Sequence, residues 1–141
     1  YHVQNLMKVG KKIGVIDSQD ALIGNPAYDL VSLIDDVRIK TSIKLKNQIY
    51  NYYLKKNSKI YKTNSNKFLE DFKILSVQRS LKIIGIFSRL FIRDKKKRYL
   101  KFIPYTWQLL EMRMDSEIFS ELKKMFDRNI SRKIRRKIIL K

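Results

Sequence analysis

Phe68, Phe72, Leu75, Leu81, Ile84, Phe87 and Phe91 recur near the three-and-four spacing of one helix face. They predict a single helix from about Lys67 to Ile92, closed by the basic run RDKKKR. So long a helix leaves little room for a sheet in a chain of 141 residues. What strand signal there is lies at the start. NLMKV (5–9) and KIGVID (12–17) read as two strands joined by a two-residue turn at Gly10-Lys11, where glycine supplies a positive φ. Ile13 and Val15 would share one face of this ribbon and Ile16 the other.

The other segments also read as helices. Asn25 is a good N-cap and Pro26 suits a first helical position. Leu30, Val31, Leu33, Ile34 and Val37, with Tyr28, give a broad apolar face through about Arg38. A second helix begins near Thr41 or Ser42, with Leu45, Ile49, Tyr52 and Tyr53 inward. KKNSKIYKTNSN is polar and loop-like. Pro104 opens a helix carrying Trp107, Leu109 and Leu110. Another starts near Ser116 with Ile118, Phe119, Leu122 and Phe126. The expected fold is therefore mainly α with one short N-terminal β-hairpin lying on the helical mass. Residues 1–127 form the helical body and 128–141 a basic tail.

A chain of this length can bury one core, and 44% apolar residues argue for a globular protein. The absence of cysteine excludes disulfides and thiolate zinc sites, and it fits a reducing cytoplasm. A single His excludes a histidine-rich metal centre. No stretch approaches the roughly 18 apolar residues of a membrane span. The net charge of +19, from 32 Lys+Arg against 13 Asp+Glu, would attract polyanions. It is also what compositional drift toward Lys, Ile, Asn and Tyr would produce. FSRLFIRDKKKRYLKF mixes cations with aromatics, as single-strand binders do. The same spacing fits aromatics in a helical core with cations turned outward, so nucleic acid is the less favoured partner.

The chemistry concentrates in the first 29 residues. A hairpin with Asn5 before one strand and Asp17 after the other brings an amide oxygen and a carboxylate together at its open end. Hard divalent cations take such oxygen ligands, keep several waters, and complete their sphere with substrate phosphates. By spacing alone the two residues are equally a turn residue and a loop cap.

YHVQNLM followed by IGVIDSQDALIGNPAYDLVSLIDD resembles the catalytic core of the aminoglycoside phosphotransferase family, which has a protein-kinase-like fold. That family carries H-x-D-x-H-x-x-N, a hairpin, an Asp-led loop, and then G-x-x-x-[YF]-D-L-[AV]. His2 and Asn5 match the end of the first motif. Asp17 leads the loop, and Tyr28, Asp29 and Leu30 match the last. With QRSLKIIGIFSRLFIRDKKKRYLKFIP (78–104) the resemblance extends to the cytoplasmic kinases of N-acetylmuramate and N-acetylglucosamine, which act at the anomeric hydroxyl.

The resemblance implies part of the C-lobe of a kinase-like α+β fold, with ATP and Mg²⁺ as cofactors and an amino sugar from cell-wall recycling as substrate. It implies that Asn5 and Asp17 hold the metal and nucleotide, that His2 orients the loop, and that Asp29 is a buried brace for the catalytic loop. Gln19, Asp20, Arg79, Arg89 and Arg93 become candidate substrate residues. Arg89 and Arg93, four apart, would share a helix face. Ser18 departs from the aromatic that many relatives have after the metal-binding Asp, so the loop should be less rigid. The family's catalytic base would fall immediately before Tyr1, and nothing in 1–141 supplies the β-rich N-lobe. The resemblance therefore reads the chain as the back part of a longer coding sequence, inactive as a kinase by itself. Alternatives are another substrate of the family, such as choline, an amino acid or an aminoglycoside, or a binding module for RNA or an anionic surface. Oligomeric state is not legible.

Overall fold

The computed structural model describes residues 2–17, 19, 22–57 and 65–137. Asp20, Ser18, the middle of the polar loop (58–64) and the last four residues lie outside that set. The elements run as expected in order: one hairpin, then helices. The hairpin pairs β1 (Leu6–Val9) with β2 (Lys12–Val15), antiparallel, in the register Leu6↔Val15 to Val9↔Lys12. Gly10 turns the chain with φ +59°, a conformation glycine adopts without steric penalty.

Contacts divide the chain into two compact units, Tyr1–Leu75 and Ser76–Lys141. The first holds the hairpin, α1 (Ala27–Ile34), α2 (Ile43–Asn57) and the start of α3 (Ser65–Asp94). Asn25 accepts the Ala27 N–H through Oδ1 at 2.9 Å, so α1 begins where Asn-Pro predicts. It stops at Ile34, four residues before the expected end. There the Asp36 carboxylate accepts the Arg38 N–H at 2.7 Å and folds the backbone into a local turn that competes with the helix. Ala27, Leu30, Val31, Ile34, Phe68 and Phe72 form the core, with Ile49, Tyr50, Tyr53 and Leu54 packed on it. Tyr50 meets Phe72 edge-on at 5.1 Å, and Tyr53 stacks on Phe68 at 5.9 Å.

Two expectations about faces fail here. Leu45 and Tyr52 are exposed, because α2 is turned so that Lys46 takes the inward position. Lys46 Nζ donates to the Ile34 carbonyl at 2.6 Å and to Asp35 Oδ1 at 2.9 Å, with both side chains under 5% exposed. The hairpin does not bury its apolar residues either: Met7, Val9, Ile13, Val15 and Ile16 are all exposed. The three helices close their apolar faces on one another, and two four-residue strands have no second layer of their own.

The second unit continues α3 and adds a 3₁₀ segment (Lys97–Phe102), α4 (Ile103–Arg113), a 3₁₀ turn (Glu117–Phe119), α5 (Ser120–Asn129) and α6 (Arg132–Arg136). Its core is Val77, Trp107, Leu110, Met114, Phe119 and Phe126. Phe119, Leu122 and Phe126 face inward at helical spacing, so Ile118 is left exposed, contrary to expectation. The basic segment after residue 127 is more than a solvated tail. Arg135 is 3% exposed, donates to Glu111 at 3.0 Å and Asp127 at 2.8 Å, and lies over the Trp107 ring at 5.4 Å. α3 ends at Lys95, a non-glycine residue with φ +54° whose N–H reaches the Phe91 carbonyl.

Lys46→Ala leaves Asp35 buried without its cation and is expected to destabilise by about 3 kcal/mol in urea unfolding. The exposed control Lys44→Ala should stay within about 0.5 kcal/mol. Lys95→Gly removes a left-handed side chain and should stabilise by about 1 kcal/mol in the same assay.

Candidate functional site

The open end of the ribbon follows from its register. Beyond Leu6↔Val15 the strands continue for one more bond, Ile16 N–H to the Asn5 carbonyl at 2.9 Å. Asn5 and Asp17 therefore emerge side by side, and Asn5 Nδ2 donates to Asp17 Oδ2 at 3.0 Å. Asn5 is buried, at 7% exposure, whereas Asp17 is exposed. Asp17 has φ +65°, so its backbone is held in the left-handed region, which costs a non-glycine residue about 1–2 kcal/mol. Its other oxygen, Oδ1, accepts from Gln19 Nε2 at 2.7 Å.

His2 orders the approach to the site. Its carbonyl accepts the Asn5 N–H at 2.9 Å, its Nδ1 accepts the Gln4 N–H at 3.2 Å, and its own N–H donates to Asn5 Oδ1 at 3.0 Å. These bonds close a 3₁₀ turn (Val3–Asn5) capped reciprocally by the His2 and Asn5 side chains. Asn5 is thus a doubly anchored amide, oxygen to His2 and nitrogen to Asp17. The donor set offers one amide oxygen and one carboxylate, the hard oxygens that magnesium accepts when phosphates and water complete the sphere. Among the described residues no three His, Asp or Glu side chains gather at one point.

The remaining candidates separate. Asp29 stands in the first turn of α1, where a carboxylate complements the helix N-terminus, and it is exposed rather than buried. Asp20 lies outside the described residues. Gln19, taken from sequence as a substrate residue, is committed to Asp17. Arg79, Arg89 and Arg93 belong to α3 in the second unit: Arg79 half-buried, the other two exposed. Arg93 grips Asp94 through both carboxylate oxygens, at 2.6 and 3.0 Å. That pairing holds the Asp94 carboxyl below its ordinary range and raises Arg93 further above it. Sequence reasoning missed Asp71. It accepts from Asn25 Nδ2 at 2.8 Å and ties the loop before α1 to α3 within the first unit. Forty-six residues separate the pair, and no local pattern announces it.

Residues 1–61 match the phosphotransferase enzyme family. An N-acetylmuramate/N-acetylglucosamine kinase of Caulobacter vibrioides is 33% identical over 96% of this chain and 38% of its own length. The protein of the same name from Neisseria meningitidis serogroup B is 38% identical over 72% of this chain and 31% of its own length. That of Pseudomonas aeruginosa is 36% identical over 79% and 34%. The chain spans roughly a third of the length of the curated relatives it matches. The segment that builds the Asn5–Asp17 site matches the model of the phosphotransferase enzyme family, and the chain as a whole is similar to part of kinases of N-acetylmuramate and N-acetylglucosamine.

Proposed function

We propose that this chain is the metal- and substrate-handling part of an ATP-dependent phosphotransferase acting on an amino sugar of the N-acetylmuramate or N-acetylglucosamine type. One observation carries the reading: the ribbon sets the Asn5 amide and the Asp17 carboxylate 3.0 Å apart, in a segment that matches a phosphotransferase family. Asn5 and Asp17 would hold a magnesium ion, which supplies charge neutralisation as a phosphoryl group moves. His2 keeps the Asn5 amide in place. Asp29, at the start of α1, supports the loop that leads to it. Arg89, exposed on α3, is the cation offered to an anionic substituent such as the carboxylate of a muramate, and Arg93, the other candidate, would first have to leave Asp94. ATP use favours the cytoplasm, and an N-acetylmuramate kinase would return cell-wall sugar to metabolism. The transfer itself is proposed for a chain of the relatives' length, of which residues 1–141 span roughly a third.

A chimera tests this. Residues 1–141 replace the homologous segment of the Caulobacter vibrioides kinase, and ADP release is followed with each sugar. The chimera should turn over ATP only with an amino sugar, and Asp17→Asn within it should lower kcat by about a thousandfold or more. A folded chimera indifferent to Asp17→Asn contradicts the proposal.

A polyanion surface remains the second reading, favoured by one uneven feature of the charge. Residues 76–141 carry 19 Lys+Arg against 6 Asp+Glu, whereas residues 1–75 carry 13 against 7. This reading predicts RNA binding that falls steeply between about 50 and 200 mM salt and survives Asp17→Asn. Binding that is lost with Asp17 rules it out.

A further inference from the structure

Both oxygens of Asp17 are occupied by amide N–H donors: Oδ2 by Asn5 Nδ2 and Oδ1 by Gln19 Nε2. A carboxylate meant for a cation is here satisfied by two partial positive charges. The orientation of Asn5 has a cause. Its oxygen accepts the His2 N–H, so the opposite, donor edge of the amide faces Asp17. For Asn5 and Asp17 to share one ion the amide must present its oxygen, which means breaking or sharing the His2 bond. Among the described residues Gln19 has no such second anchor, and it is exposed. It can swing into water at the cost of that one hydrogen bond.

We infer that Asn5 and Gln19 form a latch on Asp17, a pair of side-chain amides that stands in for the cation and that a divalent ion must displace. This rests on the reading of Asn5 and Asp17 as a metal site, and it gives Gln19 a role of its own. Gln19 is a positioning residue that competes with the ion for Asp17 Oδ1 and steadies the left-handed backbone at Asp17 while the ion is away. Asn5 does both jobs in turn, donor without the ion and oxygen ligand with it, by turning its amide over. The latch therefore lowers metal affinity and keeps the loop in register between turnovers.

The test uses the 141-residue chain and Mn²⁺ alone, with binding read from water-proton relaxation and the side-chain NH₂ signals of Asn5 and Gln19 followed by NMR. In the metal-free protein, Asp17→Ala should move both NH₂ signals. Gln19→Ala, an exposed substitution that leaves the circular dichroism unchanged, should tighten Mn²⁺ about fivefold, the equivalent of one ordinary hydrogen bond no longer broken on binding. Asp17→Asn should abolish binding. If Gln19→Ala leaves the affinity unchanged or weakens it while Asp17→Asn abolishes binding, the latch is wrong and the metal site stands. If Asp17→Asn leaves Mn²⁺ binding unchanged, the metal site itself is wrong and the latch falls with it.

Discussion

An antiparallel ribbon brings together residues placed symmetrically about its turn, and the site in this chain depends on that arithmetic. With Gly10 and Lys11 as the turn, Leu6 pairs with Val15, Asn5 meets Ile16 by one backbone bond, and Asp17 follows beside Asn5. One residue more or fewer in the turn would shift every pair and send alternate side chains to the other face. The turn is short because glycine at φ +59° permits it. A conformational freedom at one position thus fixes the meeting of an amide and a carboxylate at the far end of the ribbon.

The two units solve a shared problem in the same way. Each carries a cation in its interior and answers it with carboxylates: Lys46 with Asp35, Arg135 with Glu111 and Asp127. Such groups are costly to desolvate and tolerable only when paired and hydrogen-bonded. Arg135 adds the faces of Trp107 and Phe126, at 5.4 and 5.8 Å, so that the guanidinium also lies against rings. In the first unit the pairing sets the rotation of α2, and with it which of its aromatic residues reach Phe68 and Phe72.

Much of this was legible in the sequence, for identifiable reasons. Gly10 between two alternating runs announces a hairpin, and Asn25-Pro26 before an apolar period announces a helix start. Phe68 to Phe91 announces α3. That Asn5 and Asp17 would meet was legible because a ribbon of known turn length brings the residue before β1 close to the residues just after β2, whereas their reading as metal ligands came from the resemblance. Other features were hidden by the assumptions of pattern reading. Periodicity treats Lys and Arg as solvated, so Arg135 fell within a basic tail, Lys46 received no inward place, and Leu45 and Tyr52 were given to a core they do not enter. Asp36 ends α1 early through a side-chain bond to the Arg38 backbone, which apolar spacing does not register. Gln19 read as a group awaiting substrate because nothing in a sequence shows that an amide two residues on can fold back onto a left-handed aspartate.

The account stands or falls on where a divalent ion settles. Mn²⁺ added in small steps to isotope-labelled protein broadens the NMR signals nearest to it. The account predicts that the amides of His2 to Leu6 and of Ile16, Asp17 and Gln19 fade first, while Gly10 and Lys11, about 16 Å or more away along the ribbon at strand rise, persist. Fading that begins at the Gly10–Lys11 turn, or around Asp94 on α3, with Asn5 and Asp17 unaffected, would contradict it.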